Sequence, residues 1–447
     1  MVKMTYKFLH LVNYKDIPNW SVQYADDEDL GFTKKYQMAR IGSFLTRRKE
    51  AIDIQDGIIY KRVTVSTKGG NITIRDEKDG KLIGTKKQFV IHEGQFLLSK
   101  IDARNGAYGV VPVIAEGAII TGNFWTYDVD YERINPQFLT LVTKTQQFLD
   151  FAEKSSNGTT NRHYLQEDAF LNQQIPLPSI EEQKLILDDY NTHMGSAIRK
   201  EYKIKSLAVD SQQLICNILG IKQKVSQKSE SLLQFIHLTD TGSRWDALAD
   251  TYAIESKYQI YNLGKFIMHI STGTTPPTSH PEYFDGDVKF FTPADLGNNK
   301  YLEHSSRTIT NVALNDKKAR VYHKGDILFV GIGSTVGKVG IVKDELVSSN
   351  QQITGFTIDS RKINPEYVYY YLLYNRDITT ADQSKTTLPI VNQDKICKIP
   401  IVVPPIKVQD EIVSLLDKMY LEAKRDEKEI TLLEREAISS FEHKIFD

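Results

Sequence analysis

The chain has 447 residues, which is enough for two or three domains that each bury a core. Apolar residues make up 40% and charged residues 25%, proportions that argue against disordered and fibrous proteins. The 56 Lys and Arg nearly balance the 57 Asp and Glu, so the net charge of −1 weakly disfavours a nucleic-acid partner. It does not exclude one, because acidic helices can offset a basic groove.

The cysteines and the hydrophobicity pattern indicate the compartment. Cys216 and Cys397 each lie in an apolar periodic segment, so two reduced, buried thiols are expected rather than a disulfide. Residues 1–20 lack the long apolar segment and the cleavage site of a secretory signal. No run of about 18 apolar residues occurs, so no membrane span is predicted. The sequence predicts a soluble, cytoplasmic protein.

The sequence contains two copies of one unit. Residues 35–44 and 257–266 match at six of ten positions when Ile41 and Leu263 count as equivalent. Four further pairs of segments follow in the same order: HEGQFLLSKIDARNGAYG (92–109) with HKGDILFVGIGSTVGKVG (323–340), RINPQF (133–138) with KINPEY (362–367), GTT (158–160) with KTT (385–387), and LPSIEEQKLIL (177–187) with VPPIKVQDEIV (403–413). Ordered matches at nearly constant separation indicate an internal duplication.

In chain order, the predicted elements are a lead segment, a globular domain, a long helix, a linker, a second globular domain and a second long helix. Their predicted bounds are 1–34, 35–178, 179–220, 221–256, 257–403 and 404–447. In both globular domains, short apolar runs alternate with Gly, Asn and Asp turns, a pattern typical of strands in a mixed α/β domain. An Asn-Pro pair then predicts the start of a short helix in each copy.

Each copy ends in a segment with apolar residues at three-four spacing, the pattern of an amphipathic helix. The first segment runs from Ile180 to Leu219, and the second begins at Ile406. About forty helical residues reach about 60 Å, which is too long for one small domain to bury. The apolar stripes therefore predict two antiparallel, coiled-coil-like helices that pair with each other. The predicted fold class is α/β, of the mixed α+β kind, with two tandem pseudo-repeated domains separated by these helices.

The glycine-rich stretch FVGIGSTVGKVGIV (329–342) raises the question of a phosphate-binding loop. A Walker-type loop would need Gly in place of Ile332 and a hydroxyl residue in place of Val339. The equivalent segment of the first copy, SKIDARNGAYG, keeps only the last two glycines. Both segments are therefore predicted to be β-hairpins with glycines at positive φ. Nucleotide hydrolysis at Gly331 to Gly340 is left as a minor enzyme hypothesis.

Other catalytic and metal motifs are incomplete. TTPPTSHPEYF (274–284) lacks the aromatic residue that follows the second proline in amino-methyltransferases. HEGQF (92–96) lacks the second histidine of a zinc helix, and PADLGNNK (293–300) lacks the second acid of a nuclease metal site. The sequence therefore predicts no catalytic centre and no metal site.

Several of these segments resemble one known family. STGTTPPTSHPEYFDGDVKFFTPADL (271–296) is similar to the start of a target recognition domain in the specificity subunits of Type I restriction-modification enzymes. GQFLLSKIDARNGAYG, GNFWTYDV and GTTNR followed by IPLPSIEEQ resemble the first such domain, and the LP-x-I-x-x-Q runs resemble the family's helical regions. The likeness covers about residues 35–447. The first copy departs from it, because FLTRRKEAIDIQDG (44–57) replaces the Gly-x-Thr-Pro loop.

The resemblance implies a recognition subunit that is not itself an enzyme. Each globular domain would be a target recognition domain that reads one half of a bipartite, asymmetric DNA target, and the helices would set the spacer length. The implied partners are double-stranded DNA, two methyltransferase subunits that dock on the helices, and restriction/translocase subunits. The chain would bind no cofactor, because S-adenosylmethionine, Mg and ATP would belong to the partner subunits.

Two other functions stay open at this point. The chain could be the specificity subunit of a bipartite Type II methyltransferase-nuclease system, or a scaffold that binds proteins without DNA. A DNA-binding role predicts that affinity falls as salt rises, whereas a protein scaffold does not.

Polar side chains at the hairpin tips and nearby loops are the candidate DNA contacts. Arg and Lys can bond guanine or phosphate, Asn can bond adenine, and Asp can accept from cytosine. The candidates in the first domain are Arg62, Lys100, Arg104, Asn105 and Arg162. Those in the second domain are Thr292, Asp295, Asn298, Lys300, Ser334, Thr335, Lys338 and Lys385. We expect fewer than about half of them to touch bases.

Overall fold

A computed structural model describes residues 30–67, 71–157, 164–223, 254–297, 299–380 and 389–447. The chain divides into two compact units. Unit 1 comprises Met1–Arg199 and Glu429–Asp447, and unit 2 comprises Lys200–Lys428. Each unit therefore contains one globular domain together with part of both long helices. In the described part of the chain, no helix has the length and hydrophobicity that a bilayer span requires.

The globular part of unit 1 is built from strands and three short helices. The strands are β1 Met38–Arg40, β2 Leu45–Arg48, β3 Glu50–Asp53, β4 Ile59–Val65, β5 Ile72–Asp79, β6 Lys87–Val90, β7 Phe96–Ser99, β8 Tyr108–Val110, β9 Ile119–Ile120, β10 Phe124–Val129, β11 Ser156–Asn157, β12 Tyr164–Leu165 and β13 Gln174–Pro176. The helices are α1 Pro136–Val142, α2 Gln146–Lys154, α3 Glu167–Asn172 and the long α4 Ile180–Leu219.

Two sheets form the frame of unit 1. The first has the strand order β2-β10-β7-β8 and the second the order β3-β6-β9-β4-β5. Strands β1 and β13 pair antiparallel, so the start and the end of the globular part lie side by side. Phe96, Tyr108, Tyr127 and Phe170 are fully buried and pack ring against ring beside the first sheet. Large aromatic side chains bury much apolar surface, so these four stabilise that part of the core.

Unit 2 follows the same plan, with thirteen described strands as in unit 1. The strands are β14 Lys222–Gln223, β15 Ile254–Glu255, β16 Ile260–Asn262, β17 Ile267–Thr272, β18 Phe284–Phe291, β19 Tyr301–Leu302, β20 Arg307–Ile309, β21 Val321–Tyr322, β22 Ile327–Val330, β23 Val339–Val342, β24 Val347–Ser349, β25 Ile353–Ile358 and β26 Pro400–Val402. The helices are α5 Asn311–Asn315, α6 Pro365–Tyr374, α7 Arg376–Thr379, α8 Gln393–Lys398 and the long α9 Ile406–Phe446.

The sheets of unit 2 have the orders β17-β25-β22-β23-β19 and β20-β18-β24-β21. Strands β16 and β26 pair antiparallel, as β1 and β13 do in unit 1. Helix α6 packs in the core through Tyr367, Val368, Tyr370 and Tyr371, all fully buried. Its Asn-Pro start was predicted correctly: the side chain of Asn364 accepts hydrogen bonds from the first backbone amides of the helix.

The two globular parts share one sheet topology, which confirms the duplication found in the sequence. The order β2-β10-β7-β8 of unit 1 recurs in unit 2 as β17-β25-β22-β23, with β19 added at the edge. The register also recurs, because Trp125 lies opposite Leu98 while Thr354 lies opposite Phe329. Leu98 and Phe329 occupy the same place in the aligned repeats. Strand pairing therefore identifies equivalent positions in the two units.

A buried glutamine stands in the first turn of each long helix. Gln183 is 0% exposed; its Oε1 accepts the backbone N–H of Asn135 at 2.7 Å. Its Nε2 donates to the carbonyl oxygens of Arg133 and Pro178 at 3.0 and 2.9 Å. The side chain thus pairs with one backbone N–H and two backbone carbonyl groups, in the loop before α1 and just before α4.

Gln409 repeats this arrangement in unit 2. Its Oε1 accepts the backbone N–H of Asn364 at 2.8 Å, and its Nε2 donates to the carbonyl oxygen of Pro404 at 2.8 Å. The glutamine of each LP-x-I-x-x-Q-like run therefore joins a long helix to the Asn-Pro helix of the same unit. This explains in physical terms why the glutamine recurs in both copies.

The two long helices meet as an antiparallel pair in unit 1. Asp189 of α4 accepts a hydrogen bond from Lys444 of α9 at 3.0 Å, and His193 faces Glu436 at 4.0 Å. Residue numbers rise along α4 while their partners' numbers fall along α9, so the chains run in opposite directions. The ring of Tyr190 lies beside the aromatic residue at 441, so apolar side chains also meet at this seam.

The same pairing occurs within unit 2 around a buried carboxylate. Asp426 of α9 lies next to Lys200 and Lys203 of α4, with N–O distances of 2.8 and 3.0 Å. Further along, Ser211 of α4 contacts Met419 of α9. The antiparallel pairing of the long helices is therefore confirmed in each unit.

Candidate functional site

Both glycine-rich segments form β-hairpins, as predicted. β7 pairs antiparallel with β8, and β22 pairs antiparallel with β23. Gly106 in unit 1 and both Gly333 and Gly337 in unit 2 have positive φ angles of 83°, 109° and 90°. At these glycines the chain turns with positive φ, a backbone conformation that residues with a side chain rarely adopt. The two hairpins carry different side chains on one scaffold.

A group of cations and aromatic rings lies beside the hairpin of unit 1. The guanidinium carbon of Arg47 lies 5.7 Å from the ring centre of Trp125 and 5.2 Å from that of Tyr127. The Nε of Arg47 lies 3.1 Å from a carboxylate oxygen of Glu167, which also accepts a hydrogen bond from the Tyr127 hydroxyl at 3.0 Å. The Arg47 side chain is only 21% exposed, and this burial lowers its pKa.

Lys100 completes this group. It follows β7 directly, and its Nζ lies 5.8 Å from the ring centre of Trp125. Burial lowers the pKa of Lys100, and the positive charges of Arg47 and Lys49 lower it further, while Glu167 opposes them. We name Arg47, Lys100, Trp125, Tyr127 and Glu167 the unit 1 cluster. Its two cations face an aromatic surface. The cluster contains two cationic side chains and one carboxylate.

The equivalent positions of unit 2 carry no charge. Strand register places Ile270 where unit 1 has Arg47, and Thr354 where it has Trp125. Gln393 is the first residue of α8, and Glu167 is the first residue of the equivalent helix α3. Its amide donates to the hydroxyl of Thr272 at 2.9 Å, and that hydroxyl lies 3.0 Å from the hydroxyl of Thr354. Neutral amide and hydroxyl groups thus replace the charged cluster.

The Gly-x-Thr-Pro loop of unit 2 packs against an amide-rich turn. A Cβ atom on Gly273 would lie 2.2 Å from the carbonyl oxygen of Asn350, so only glycine allows this close approach. The hydroxyl of Thr275 donates to the side-chain oxygen of Gln351 at 2.5 Å. Gln351 is exposed, and its side chain is held in place next to the loop. Such amides can form bidentate hydrogen bonds with adenine.

The predicted contacts of unit 1 are only partly available. Arg62 forms a bidentate ion pair with Asp76, with N–O distances of 2.7 and 2.5 Å. Arg104 lies 3.9 Å from the carboxylate of Glu153, and the Asn105 amide faces an aspartate within the same turn. Arg162 lies outside the described residues.

Three predicted contacts of unit 2 lie on its hairpin. Ser334 is exposed, whereas Thr335 and Lys338 are half-buried, and the Lys338 stem lies against a glycine of the neighbouring loop. Their contact with DNA stays a prediction. Asn298 and Lys385 lie outside the described residues.

The remaining predicted contacts of unit 2 serve the loop after β18. Asp295 accepts hydrogen bonds from the backbone amide and the hydroxyl of Thr292 at 2.7 and 2.8 Å, so its carboxylate stabilises this turn. Lys300 was predicted wrongly as a DNA contact. It is 2% exposed, and its ammonium contacts the carboxylates of Glu366 and Asp417 at 3.0 and 2.5 Å. The sequence placed it in a polar loop, but α6 and α9 cover it.

Arg47 and Gln351 were not among the predicted contacts. Both lie in segments with a visible signal: the Arg-Arg-Lys run that replaces the Gly-x-Thr-Pro loop, and the Asn-Gln-Gln run before β25. What the sequence did not supply was the strand pairing that brings these runs beside the hairpins. Among the described residues, no group of His, Cys, Asp and Glu has the geometry to hold a metal ion.

The sequence is similar to one protein family and to several of its members. The family model for the Type I restriction modification DNA specificity domain matches residues 33–205 and 255–435. The MjaVIII specificity subunit of Methanocaldococcus jannaschii is 22% identical over 413 residues, which is 88% of each chain. The HindI specificity subunit of Haemophilus influenzae is 22% identical over 442 residues, covering 86% of this chain and 93% of that subunit.

One further relative and one solved chain extend the comparison. The MjaIX specificity subunit of Methanocaldococcus jannaschii is 29% identical over 193 residues, 41% of this chain and 43% of that subunit. A solved chain from work on complex assembly and conformational transition of the type I R-M system covers 92% of this chain and 98% of its own length. Its TM-score is 0.52 at 16% identity, a likeness that shows the fold alone.

Proposed function

The chain belongs to the Type I restriction-modification DNA specificity family, and we propose that each of its units recognises one half of a bipartite, asymmetric DNA target. The family model matches both repeats, and long specificity subunits of two organisms match across most of the chain. The chain selects DNA and leaves methylation and cleavage to other subunits. It acts in the cytoplasm.

One observation carries this proposal. The two units share a sheet order and register, yet equivalent positions are charged in unit 1 and uncharged in unit 2. In unit 1 these positions hold Arg47, Lys100 and Glu167, whereas in unit 2 they hold Ile270, Gly331 and Gln393. Base-edge recognition depends on which donors and acceptors a protein presents, so such a pair of scaffolds suits two different half-sites.

The long helices supply the spacing between the half-sites. They have 40 and 41 residues, so each is about 60 Å long. One turn of DNA is about 34 Å, which is within their reach. In this proposal the paired helices set the number of base pairs between the halves, and two methyltransferase subunits dock on them.

The partner subunits supply the chemistry. Methyltransferase subunits bind S-adenosylmethionine, and restriction/translocase subunits bind Mg and ATP. This division follows from the family's role in selecting DNA. The purified chain alone is expected to turn over neither nucleotide nor DNA.

Sequencing of methylated sites tests this function. Cells with and without the gene are compared, and the methylated motif that disappears with the gene is expected to have two halves separated by a fixed gap. Residues 257–403 are then exchanged for those of a related chain. Only one half of the motif should change, because each unit reads its own half.

Two results would contradict the proposal. A motif that is continuous, or one in which both halves change after the exchange, is incompatible with two independent readers. Binding of the assembled complex that ignores DNA sequence and shows no dependence on salt would indicate a protein scaffold instead.

A further inference from the structure

We propose that unit 1 reads a guanine in its half-site through the ammonium of Lys100, which Trp125 and Arg47 hold in position. This inference rests on the proposed function, because it names the base that one unit recognises. The corresponding place in unit 2 presents no cation, so the two half-sites are read by different chemistry.

The ammonium of Lys100 lacks an acceptor among the described residues. Within the described part of the chain, the Lys100 Nζ has neither a hydrogen-bond nor an ion-pair partner, and its neighbour is the face of Trp125. The one carboxylate of the cluster, that of Glu167, is already engaged by Arg47 and by the Tyr127 hydroxyl. A half-buried ammonium with three donors therefore awaits acceptors from outside the chain.

The electrostatic environment of Lys100 disfavours its positive charge. Burial disfavours its protonated form and so lowers the pKa, and the charges of Arg47 and Lys49 add to this effect while Glu167 opposes it. An incoming group with two acceptor atoms relieves both costs at once. Guanine presents O6 and N7 side by side in the major groove, and Lys bonding to that pair is among the commonest specific contacts.

The scaffold gives this side chain to one unit only. The backbone amide of Lys100 donates to the carbonyl oxygen of Asn123 at 2.9 Å, and that of Gly331 donates to the carbonyl oxygen of Gln352 at 2.8 Å. The two positions are thus structurally equivalent. A Cβ atom on Gly331 would lie 2.6 Å from the carbonyl oxygen of Val391, so unit 2 has no space for a side chain there.

A base edge fits this site better than a phosphate. Phosphate contacts fix the position of the protein on DNA and carry no direct sequence information. Lys100 is recessed instead, with its ammonium over a ring that is 7% exposed. Arg47 is a positioning residue, because its guanidinium fills the space between Trp125 and Tyr127 and is held there by Glu167.

The test uses the full chain assembled with its methyltransferase subunits and a random DNA library. Wild-type complex is expected to select a bipartite motif with a G·C pair at a fixed position of the unit 1 half. Lys100→Met keeps a similar unbranched stem and is expected to reduce discrimination at that position about 5- to 100-fold. The other half of the motif should be unchanged. Lys100→Arg should retain the guanine, since Arg reads the same two acceptors.

The matched control is Arg48→Gln. Arg48 is the residue after Arg47 in β2, so its side chain points to the opposite face of the sheet. Like Lys100 it is a cation, but its side chain is 52% exposed. Its replacement should leave the motif intact. A second measurement needs no protein variant: 7-deazaguanine at the selected position removes N7, so it should weaken wild-type binding but not the binding of Lys100→Met.

Each other outcome overturns the inference. If Lys100→Met lowers affinity for all sequences equally and reduces the salt dependence by about one phosphate contact, the lysine binds phosphate. If 7-deazaguanine binds wild type as well as guanine does, no guanine contact exists. If the motif is bipartite but Lys100→Met leaves it unaltered, only this inference fails. If no bipartite motif is selected by wild type, the proposed function itself fails.

Discussion

Replacing Gln183 by leucine tests whether the recurring glutamine stabilises each unit through its hydrogen bonds. The side chain is fully buried and makes hydrogen bonds to the backbone groups of Asn135, Arg133 and Pro178. Leucine has a similar size and helix propensity, so the change removes polar contacts while packing stays nearly constant. The perturbation therefore isolates the three hydrogen bonds.

The expected loss of stability follows from counting these bonds. Each net hydrogen bond contributes about 1 kcal/mol, so three amount to about 3 kcal/mol. The hydrogen bond to Pro178 is buried and the other two are partly buried, so water replaces them only in part. Gln409→Leu removes two such bonds in unit 2, to Asn364 and Pro404, and is expected to cost about 2 kcal/mol.

Hydrogen exchange measured by mass spectrometry gives the most local readout. In Gln183→Leu, the peptide that contains residues 133–138 should exchange about 100-fold faster, since about 3 kcal/mol corresponds to two powers of ten. The peptide that contains residues 362–367 should not change in this variant. In Gln409→Leu the peptide that contains residues 362–367 should exchange faster, and the peptide that contains residues 133–138 should not change. The reason is that each glutamine forms hydrogen bonds within its own unit.

Lys184→Leu is the control, because Lys184 is the exposed neighbour of Gln183 on the same helix. It is expected to alter stability by less than about 0.5 kcal/mol. If Gln183→Leu lowers the free energy of unfolding no more than this control does, the glutamine contributes packing but no net hydrogen-bond stabilisation. The account of the recurring helix-start motif would then be wrong.

Three further predictions concern single residues. Lys300→Met leaves two carboxylates, each about one-third exposed, without their shared ammonium. We expect the free energy of unfolding, measured by thermal unfolding, to fall by about 2 kcal/mol. The control Lys324→Met removes an exposed ion pair and should cost less than about 0.5 kcal/mol. Gly337→Ala should destabilise more than Gly325→Ala: both have φ of 90°, but only at Gly337 would a Cβ lie within 2.9 Å of other side chains. Two glutamates raise the pKa of His92, so its contribution is complete below about pH 6.5 and is lost as pH rises through the raised pKa; the melting-temperature difference between wild type and His92→Gln should shrink from pH 6 to pH 8.

Local patterns predicted the elements well, and they did so for a physical reason. The helix bounds Ile180 and Leu219 follow from apolar spacing, which reports the period of the backbone itself. The hairpins follow from glycines between apolar runs, because a tight turn requires residues that tolerate positive φ. Such signals need only neighbouring residues, so they survive without knowledge of the tertiary structure.

The candidate site was harder to predict, because its members come from separate segments. Lys300 is the clearest case: it was expected in a solvated loop, but its two carboxylate partners are 66 and 117 residues away in the chain. Arg47 is the opposite case. It belongs to a charged run that was not among the candidate contacts, yet pairing of β2 with β10 places it against Trp125 and Tyr127.

The sequence by itself determined the duplicated plan, the long helices and the family, because repeats and periodicity are properties of the order of residues. Tertiary structure decided which charged side chains are exposed to solvent and which are buried in ion pairs within the protein. That decision depends on strand register and on helices that return from distant parts of the chain, and a polar side chain carries no local mark of its eventual partner. The different chemistry of the two units, a cationic cluster in one and neutral amides in the other, became visible only when the strands were paired.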